Sequence, residues 1–402
     1  MRIIFINRFY WPDEPATAQL LTDLAEALAA RGHDVTVITS RPAGHSGSGA
    51  ETHAGVRVFR VRSSHRGPHQ LVGRAVDFIT FLFGACWRLL WTAHQGDLVV
   101  AMTDPPSLGV AVWPVAWVKR ARCLHWVQDI YPEVALVLAP GPLIRALGAV
   151  VRPGRNFAWK HSAGCVVLGR DMADFIAQTG VSLQKITVIP NWAPAGLEPQ
   201  PRAAADQLRA AWNLQGRFVV AYSGNLGRVH DLHPVLAVAK ALHDEPRIVF
   251  VFIGGGAQRA ALENAVAAGR LTNVRFHAAQ PRAELAATLA LGDVHLVTLR
   301  AGCEALVFPS KLYGIAAVGR PVLFIGPRDC ELSRLIAGRG FGFAFPRDET
   351  AAIADRLRQL AVNPGLCAEL GGAAAEFSRV AGRLDHAVAL WSERLSREAA
   401  CR

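Results

Sequence analysis

The chain has no Cys-x-x-Cys pair, no Gly-x-Gly-x-x-Gly behind its first strand and no Asp-x-Asp at the end of an expected strand. Each absence removes a class of chemistry. The seven cysteines (Cys86, Cys123, Cys165, Cys303, Cys330, Cys367 and Cys401) are scattered and odd in number, so neither a disulfide framework nor a zinc site is expected. A reducing cytosol fits such a chain. Without the glycine fingerprint the first helix has no cradle for a pyrophosphate, which disfavours a dinucleotide-binding N-terminus. Without the acid pair a divalent metal has no holder, and no metal or cofactor is expected. No apolar run reaches the roughly 20 residues that span a bilayer. Met1-Arg2 leads straight into a strand at 3–6, so no secretory signal is expected.

What is present is apolar and basic. Of 402 residues, 51% are hydrophobic and 19% charged, which suits two folded domains rather than one core or a disordered chain. The balance of 43 basic against 32 acidic residues, +11, suits an acidic ligand, an anionic membrane face or nucleic acid. Nucleic acid is disfavoured, because the basic residues are spread along the chain rather than striped with exposed aromatics.

In chain order, a buried strand at 3–6, a helix at 16–31 with Leu20, Leu21, Leu24 and Leu28 at helical spacing, and a strand at 35–39 open a doubly wound parallel domain. Residues 41–69 read as long loops around one strand at 56–61. Strands follow at 98–102, 123–127, 164–168 and 186–189. Asp129 and Glu133 lie just beyond the end of the strand at 123–127, where open parallel sheets place ligands; the alternative is that Asp129 caps the next helix. Pro194 to Arg202 (PAGLEPQPR) marks a linker between domains at 1–193 and 203–379, the first expected to be completed by a helix at about 380–402 with Trp391 as its anchor.

Two segments of the first domain are unusual. LVGRAVDFITFLFGACWRLLWTAH (71–94) places Trp87 and Trp91 four apart on one helical face, and PPSLGVAVWPVAWVKR (105–120) does the same with Trp113 and Trp117 beside Lys119 and Arg120. Aromatics next to basic residues suit a helix lying among lipid headgroups; helices that merely cover a sheet would look alike. Seven of the ten tryptophans precede residue 160, which favours an interface in this half.

The second domain restarts the pattern with strands at 218–222, 247–253 and 274–277. The first ends in Ser223-Gly224-Asn225-Leu226-Gly227-Arg228 and the second in Gly254-Gly255-Gly256, two places where backbone amides can approach phosphate. Then DVHLVTLRAGCEALVFPSKLYGIAAVGRPVLFIG (293–326) reads as one βαβ unit: strand 294–299, a loop with the lone acid Glu304, a helix opened by Pro309, Ser310 and Lys311 and stopped by Gly319, and strand 321–325. The Ser310 hydroxyl is expected to cap a free amide, and the helix start and Lys311 together should collect an anion. Phosphate is the natural candidate. A last strand at 341–345 precedes alanine-rich helical sequence, and His33, His125, His161 and His230 read as structural or surface residues, with His125 and His230 the first candidates for an exception.

YSGNLGR, VIPNW, EALVFPSKLYGIAAVGRPVL and the N-terminal RFYWPDEPATAQLLTDLAEALAARGHDVTVIT together resemble GT-B fold glycosyltransferases of family 4, and VQDIYPE resembles the branch of colanic acid and O-antigen transferases. The resemblance implies an α/β chain of two Rossmann-like domains with parallel sheets facing across a cleft. It implies retaining, metal-independent transfer of a hexosyl or N-acetylhexosaminyl group from a nucleotide diphosphate sugar, UDP before GDP. The acceptor is expected to be a lipid-linked sugar at an anionic membrane surface, in cell-surface polysaccharide, O-antigen or exopolysaccharide synthesis. The protein would then be cytoplasmic and peripheral on the inner face of the plasma membrane.

Carried over by position, Glu304 matches the first acid of the family's E-x7-E motif, and Asp129 the polar residue lining the reaction centre. Pro309, Ser310 and Lys311 match a PSK element, with Lys311 assigned to the diphosphate. Gly224, Asn225, Arg228 and Gly255 complete the expected donor site, and Trp87, Trp91, Trp113 and Trp117 the acceptor or membrane side. The chain departs from the family twice. The second acid, the ribose clamp in relatives, falls on Gly314, counting back from Gly319. The diphosphate-binding Arg and Lys of many members align with Asn225 and His230, leaving Arg228 as substitute, so Arg228 and Lys311 are expected to neutralise the leaving group together. Two other readings stay open: a nucleotide-sugar 2-epimerase on the same fold, and a catalytically silent partner of a polysaccharide assembly complex.

Overall fold

The computed structural model describes residues 1–42, 50–64 and 71–400. The long loops expected between 41 and 69 fall in part on 43–49 and 65–70, and Cys401 and Arg402 end the expected C-terminal helix; all of these lie outside the described residues. The chain forms two compact units. Met1–Pro190, Ala305–Val307 and Leu384–Arg402 make the first, and Asn191–Glu304 with Phe308–Arg383 the second.

The first unit runs β1 (Arg2–Ile6), α1 (Ala16–Ala30), β2 (Asp34–Ser40), β3 (Ala50–His53), β4 (Val56–Val61), α2 (Leu71–Thr92), β5 (Leu98–Ala101), α3 (Leu108–Val118), β6 (Arg122–Trp126), α4 (Glu133–Leu138), α5 (Pro142–His161), β7 (Gly164–Val167), α6 (Arg170–Gln178) and β8 (Ile186–Val188). Its sheet has the order β3-β4-β2-β1-β5-β6-β7-β8. All pairings are parallel except β3 with β4. The antiparallel edge strand β3 was not expected: AETH has neither an apolar run nor alternation, and it is held by pairing with β4 alone.

Strand order reverses at β1, where Ile3 pairs with Val35 on one side and Leu98 on the other. The loops after β1 and β5 therefore flank a topological switch point. On one sheet face Phe81, Ala85 and Leu89 of α2 and Leu108, Val112 and Ala116 of α3 pack on Ile4, Ile6, Val99 and Ala101. The i, i+4 spacing of those apolar positions is what lets each helix lay one stripe on the sheet.

The second unit runs α7 (Asp206–Ala211), β9 (Phe218–Ser223), α8 (His233–Ala241), β10 (Ile248–Ile253), α9 (Arg259–Ala268), β11 (Val274–His277), α10 (Leu285–Ala290), β12 (Val294–Thr298), α11 (Lys311–Ala317), β13 (Val322–Ile325), α12 (Glu331–Arg339), β14 (Gly342–Phe345), α13 (Thr350–Val362) and α14 (Pro364–Ala381). All strands are parallel, in the order β11-β10-β9-β12-β13-β14. The central strand β9 divides its side chains by parity. Val220 and Tyr222 join the core under α8 and α13, and Val219 and Ala221 the core on the other face. β10, Ile-Val-Phe-Val-Phe-Ile, is buried along its whole length, as a parallel strand covered on both faces should be.

α15 (Leu384–Ala400) belongs to the first unit. Trp391 is fully buried there, edge-on to Trp126 at 5.1 Å and Phe5 at 6.4 Å. Farther along the helix, Glu398 is buried in an ion pair with Arg394 and Arg122, and Arg394 donates to the Ala163 carbonyl at 3.0 Å.

Candidate active site

In the first unit, the carboxyl ends of β5 and β6 bring Asp129 to Thr103, whose hydroxyl oxygen accepts from the amides of Gln128 and Asp129 at 3.3 Å. The backbone of Asp129 forms a bridge with Val307, and the Ile130 amide donates to the Leu306 carbonyl at 2.9 Å. Asp129 does not cap a helix: α4 starts four residues on, with Pro132 at its N-cap. Burial, reinforced by Asp104, raises its carboxyl pKa to about 6. That value lets one carboxyl serve as acid or base near neutral pH.

A small cavity of about 30 Å³, room for a water molecule, adjoins Asp129, His125, Ser107 and Arg155. His125 is buried at its wall, and burial lowers its pKa to about 4, so it is neutral. Gly109 is obligatory opposite it: a Cβ there would fall 2.3 Å from the imidazole Nδ1. Glu133, which sequence placed beside Asp129, is instead tied to Arg152 at 2.9 Å and to buried Arg155. Its charge is spent on structure.

In the second unit the switch point lies between β9 and β12, and the residues expected for a donor gather at that end of the sheet. Gly224 (φ +131°) and Gly254 (φ +134°) both take left-handed backbone, and Gly254 is forced besides, because a Cβ on it would meet the Gly224 carbonyl oxygen at 2.3 Å. A Cβ on Gly256 would strike Leu226 backbone at 2.7 Å, whereas one on Gly255 would meet nothing within 4 Å. The two glycine loops thus interlock and leave Asn225 and Gly255 exposed to solvent. The loop after β9 does not open a helix directly; α8 begins only at His233. Arg228 is exposed, and its carbonyl accepts from Arg300 Nε at 3.1 Å.

Lys311 is the centre of this end. Its ammonium lies 3.5 Å from the centroid of the Tyr222 ring, next to Gly224, and has no hydrogen-bond acceptor among the described residues. Although the residue as a whole is half-buried, the nitrogen is sealed from solvent, and this burial lowers its pKa well below the usual lysine value. His230, whose ring nitrogen lies 2.7 Å from the Thr298 carbonyl, is held neutral: burial first, then Lys311, lowers its pKa to about 3. A sealed ammonium without a counter-ion is costly, and an anion is what would relieve it.

Two expectations about this segment need correction. Ser310 has helical backbone angles (φ −62°, ψ −21°) and makes no side-chain cap, since a hydroxyl reaches the free amides only from an extended N-cap. α11 is also only seven residues long, so the lysine itself, rather than a helix macrodipole, carries the anion argument. Pro309 is buried ahead of it, and Gly319 at φ +68° ends the helix as its sequence suggested. Glu304 is half-buried in the loop after β12, with its carboxylate accepting from the Gly302 amide at 3.0 Å.

Gly314 is buried, and a Cβ there would point at Leu289, Leu197 and Pro194, the nearest at 3.3 Å. An acid at that place would face aliphatic carbon. Leu312, the eighth residue after Glu304, is fully buried as well. Neither position can present a carboxylate to a ribose here.

The tryptophan segments form an exposed face in the first unit. Ile79, Phe83, Trp87 and Trp91, every fourth residue of α2, are 58–76% exposed, and Trp117 of α3 is 69% exposed. Trp113 is different: it is half-buried, edge-on to Phe157 at 5.4 Å. α3 packs between α2 and α5, and α5 adds exposed Leu143, Leu147, Val150 and Phe157, with Arg145, Arg152 and Lys160 interspersed. Sequence reading missed α5; the spacing of its apolar residues was the available signal. The same reading found no apolar run long enough to span a bilayer, yet Ala75–Thr92 in α2 meets that test by length and composition. Its Phe81, Ala85 and Leu89 are nevertheless packed on the sheet.

The comparisons with known proteins agree with this arrangement. Residues 17–192 match the family model described as a glycosyl transferase 4-like domain, and residues 205–377 match glycosyl transferases group 1. The chain belongs to the family 4 glycosyltransferases of GT-B fold. It is 26% identical over 358 residues to WbjE of Pseudomonas aeruginosa, named a probable glycosyltransferase, covering 88% of each chain. It is 27% identical over 361 residues to WcaI of Escherichia coli K12, named for an inferred role as a colanic acid biosynthesis glycosyl transferase, covering 83% of this chain and 86% of the other. Among solved structures, sucrose-phosphate synthase from Thermosynechococcus elongatus superposes with a TM-score of 0.80 over 100% of both chains at 17% identity. HepE from Anabaena, solved in complex with UDP, reaches 0.72 over 99% of this chain and 100% of its own at 15% identity. This family 4 member is a glycosyltransferase of polysaccharide biosynthesis.

Proposed function

We propose that this glycosyltransferase is retaining and metal-independent, and that it moves a sugar from a nucleotide diphosphate sugar, UDP before GDP, to a lipid-linked acceptor held at an anionic membrane surface. The carrying observation is the sealed ammonium of Lys311 on Tyr222, beside two interlocked glycine loops at the carboxyl end of β9. Departure of a nucleoside diphosphate builds negative charge on phosphate oxygens, and a fixed cation there stabilises the transition state more than the ground state. Arg228, exposed on the same loop, is the second cation of the reading, and Pro309 and Ser310 set the entry to Lys311. Asp129 or Glu304 is the carboxylate that would favour an oxocarbenium-like centre. The solved complexes of HepE with UDP and with UDP-glucose support the uridine preference by likeness of fold.

For the acceptor, the support is the exposed apolar face of α2, α3 and α5 with its basic fringe, which suits a helix layer resting among anionic headgroups. The donor half is tested by thermal unfolding with a panel of UDP- and GDP-sugars on the wild type and Lys311→Met. One nucleotide series should stabilise the wild type by about 2.7 kcal/mol at a hundredfold excess over its Kd, and the variant not at all. A panel without any stabilising nucleotide sugar would overturn the transferase mechanism and favour a silent assembly partner.

A further inference from the structure

A second, larger concavity of about 930 Å³ opens at the opposite end of the same sheet, where the strands of the second unit begin. Five arginines line it, Arg202, Arg209, Arg217, Arg247 and Arg320, against two acids, Asp206 and Asp293. Asp293 is fully committed: its carboxylate takes Arg202 Nε at 3.1 Å, Arg209 at 3.0 Å and the Val219 amide at 2.7 Å. Arg209 is 4% exposed, and its Nε has no partner among the described residues. Among the described residues Arg320 pairs with no carboxylate; it donates to the carbonyls of Gln200 at 2.9 Å and Ala290 at 3.2 Å. Burial, Arg209 and Arg202 together lower its pKa despite Asp293. Arg247 stands exposed at the rim.

Beyond Leu360, Pro364 and Cys367 the remaining wall is built of small residues. Along α14, Ala368, Gly371, Gly372 and Ala375 face the space, and a Cβ on Gly372 would meet nothing within 4 Å. Gly371 is needed for packing, since its Cβ would lie 2.4 Å from the Gly319 carbonyl oxygen. Gly372 is not; in a helix interior glycine costs about 1 kcal/mol relative to alanine. The volume falls within the roughly 300–1,000 Å³ of small-molecule sites.

We propose that this concavity is a binding site for a phosphorylated small molecule carrying at least two negative charges. Clustered guanidiniums offer paired donors that fit phosphate oxygens, and their excess over nearby acids is what a dianion or trianion would balance. The smooth alanine and glycine wall of α14 leaves room for the body of the molecule, a sugar or a base. No part of this site is shared with Lys311 or the glycine loops, which lie at the strands' other ends, so it stands apart from the donor reading.

The test uses the full chain carrying Lys311→Met, so that binding at the donor end does not interfere. Inorganic pyrophosphate and AMP are titrated at constant ionic strength, by thermal unfolding and by calorimetry. Saturable binding of either probe is expected, with AMP the tighter if an organic body is required and pyrophosphate equal to it if charge suffices. Adding Arg247→Glu or Gly372→Glu should weaken binding about tenfold or more, equivalent to about 1.4 kcal/mol, whereas Gly372→Ala should leave it intact and raise stability. Both substitutions sit at exposed positions, which protects folding. Absence of saturable binding by both probes would overturn the proposal, as would binding indifferent to both glutamate variants. Stabilisation by polyglutamate alone would reassign the surface to an acidic protein segment.

Discussion

The ammonium of Lys311, sealed next to Gly224 on the face of Tyr222, sets how stability and ligand binding respond to pH. Its folded pKa lies below the unfolded one, so the unfolded chain holds more protons between the two values and stability rises with pH through that window. Lys311→Met should remove that rise, raise stability at neutral pH and abolish donor binding. Urea unfolding between pH 6 and 10 checks the sign. Asp129 behaves oppositely. Its pKa is raised from 3.8 to about 6, so its contribution is fully present below the unfolded value and is lost as pH rises through the folded one. Asp129→Asn should therefore be more stable than the wild type at pH 7.5, by of order 1–3 kcal/mol, with no advantage at pH 4. If the ionised carboxylate is the acting form, wild-type kcat/KM falls below about pH 6, and the variant loses the limb along with most of its rate. An unchanged pH profile in Asp129→Asn would remove it from the reaction.

At the scale of elements, α15 shows how one buried aromatic fixes a helix. Trp391 contacts Trp126 and Phe5 edge-on, and the Arg394–Glu398–Arg122 ion pairs lie beyond it. Trp391→Ala should cost about 3–5 kcal/mol, measured as a shift in the unfolding midpoint, with hydrogen exchange rising first along α15. α11 illustrates how local signals can mislead. Proline, serine and lysine spell a capped, dipole-rich start, but the seven-residue helix is held by burial of Leu312 to Ala317, and its serine is free of capping duty. Gly314→Glu, which would restore the expected acid, should destabilise rather than sharpen donor binding, because Leu289, Leu197 and Pro194 surround it. Nucleotide-sugar titration of that variant shows whether affinity follows.

For the whole molecule, the exposed row on α2 continued by α3 and α5 leads to a membrane prediction. Co-sedimentation with vesicles containing an anionic lipid should be strong at low salt. It should weaken as ionic strength passes 0.1 M, where the Debye length is about 10 Å. Replacing Phe83, Trp87 and Trp91 with serine should abolish it while leaving the unfolding midpoint nearly unchanged, since these side chains are exposed. Binding that survives the triple substitution would move the contact elsewhere.

Sequence by itself determined the family and most of the succession of elements, β3 and α5 excepted. Buried parallel strands are continuous apolar runs such as Ile248–Ile253, helices repeat leucine at every third or fourth place, and glycines mark the turns, all local consequences of backbone geometry. The order of the motifs around Asp129, Glu304 and Lys311 was legible for the same reason. Tertiary structure alone decided what those residues meet. That Lys311 lies on Tyr222 without a counter-ion among the described residues, that Glu133 is spent on Arg152 and Arg155, that Gly314 faces aliphatic carbon, and that five arginines gather at the sheet's far end all depend on contacts between distant segments. The periodicity of a strand or helix tells which side of it is buried; which charges and carbons wait on that side is set by how the elements pack.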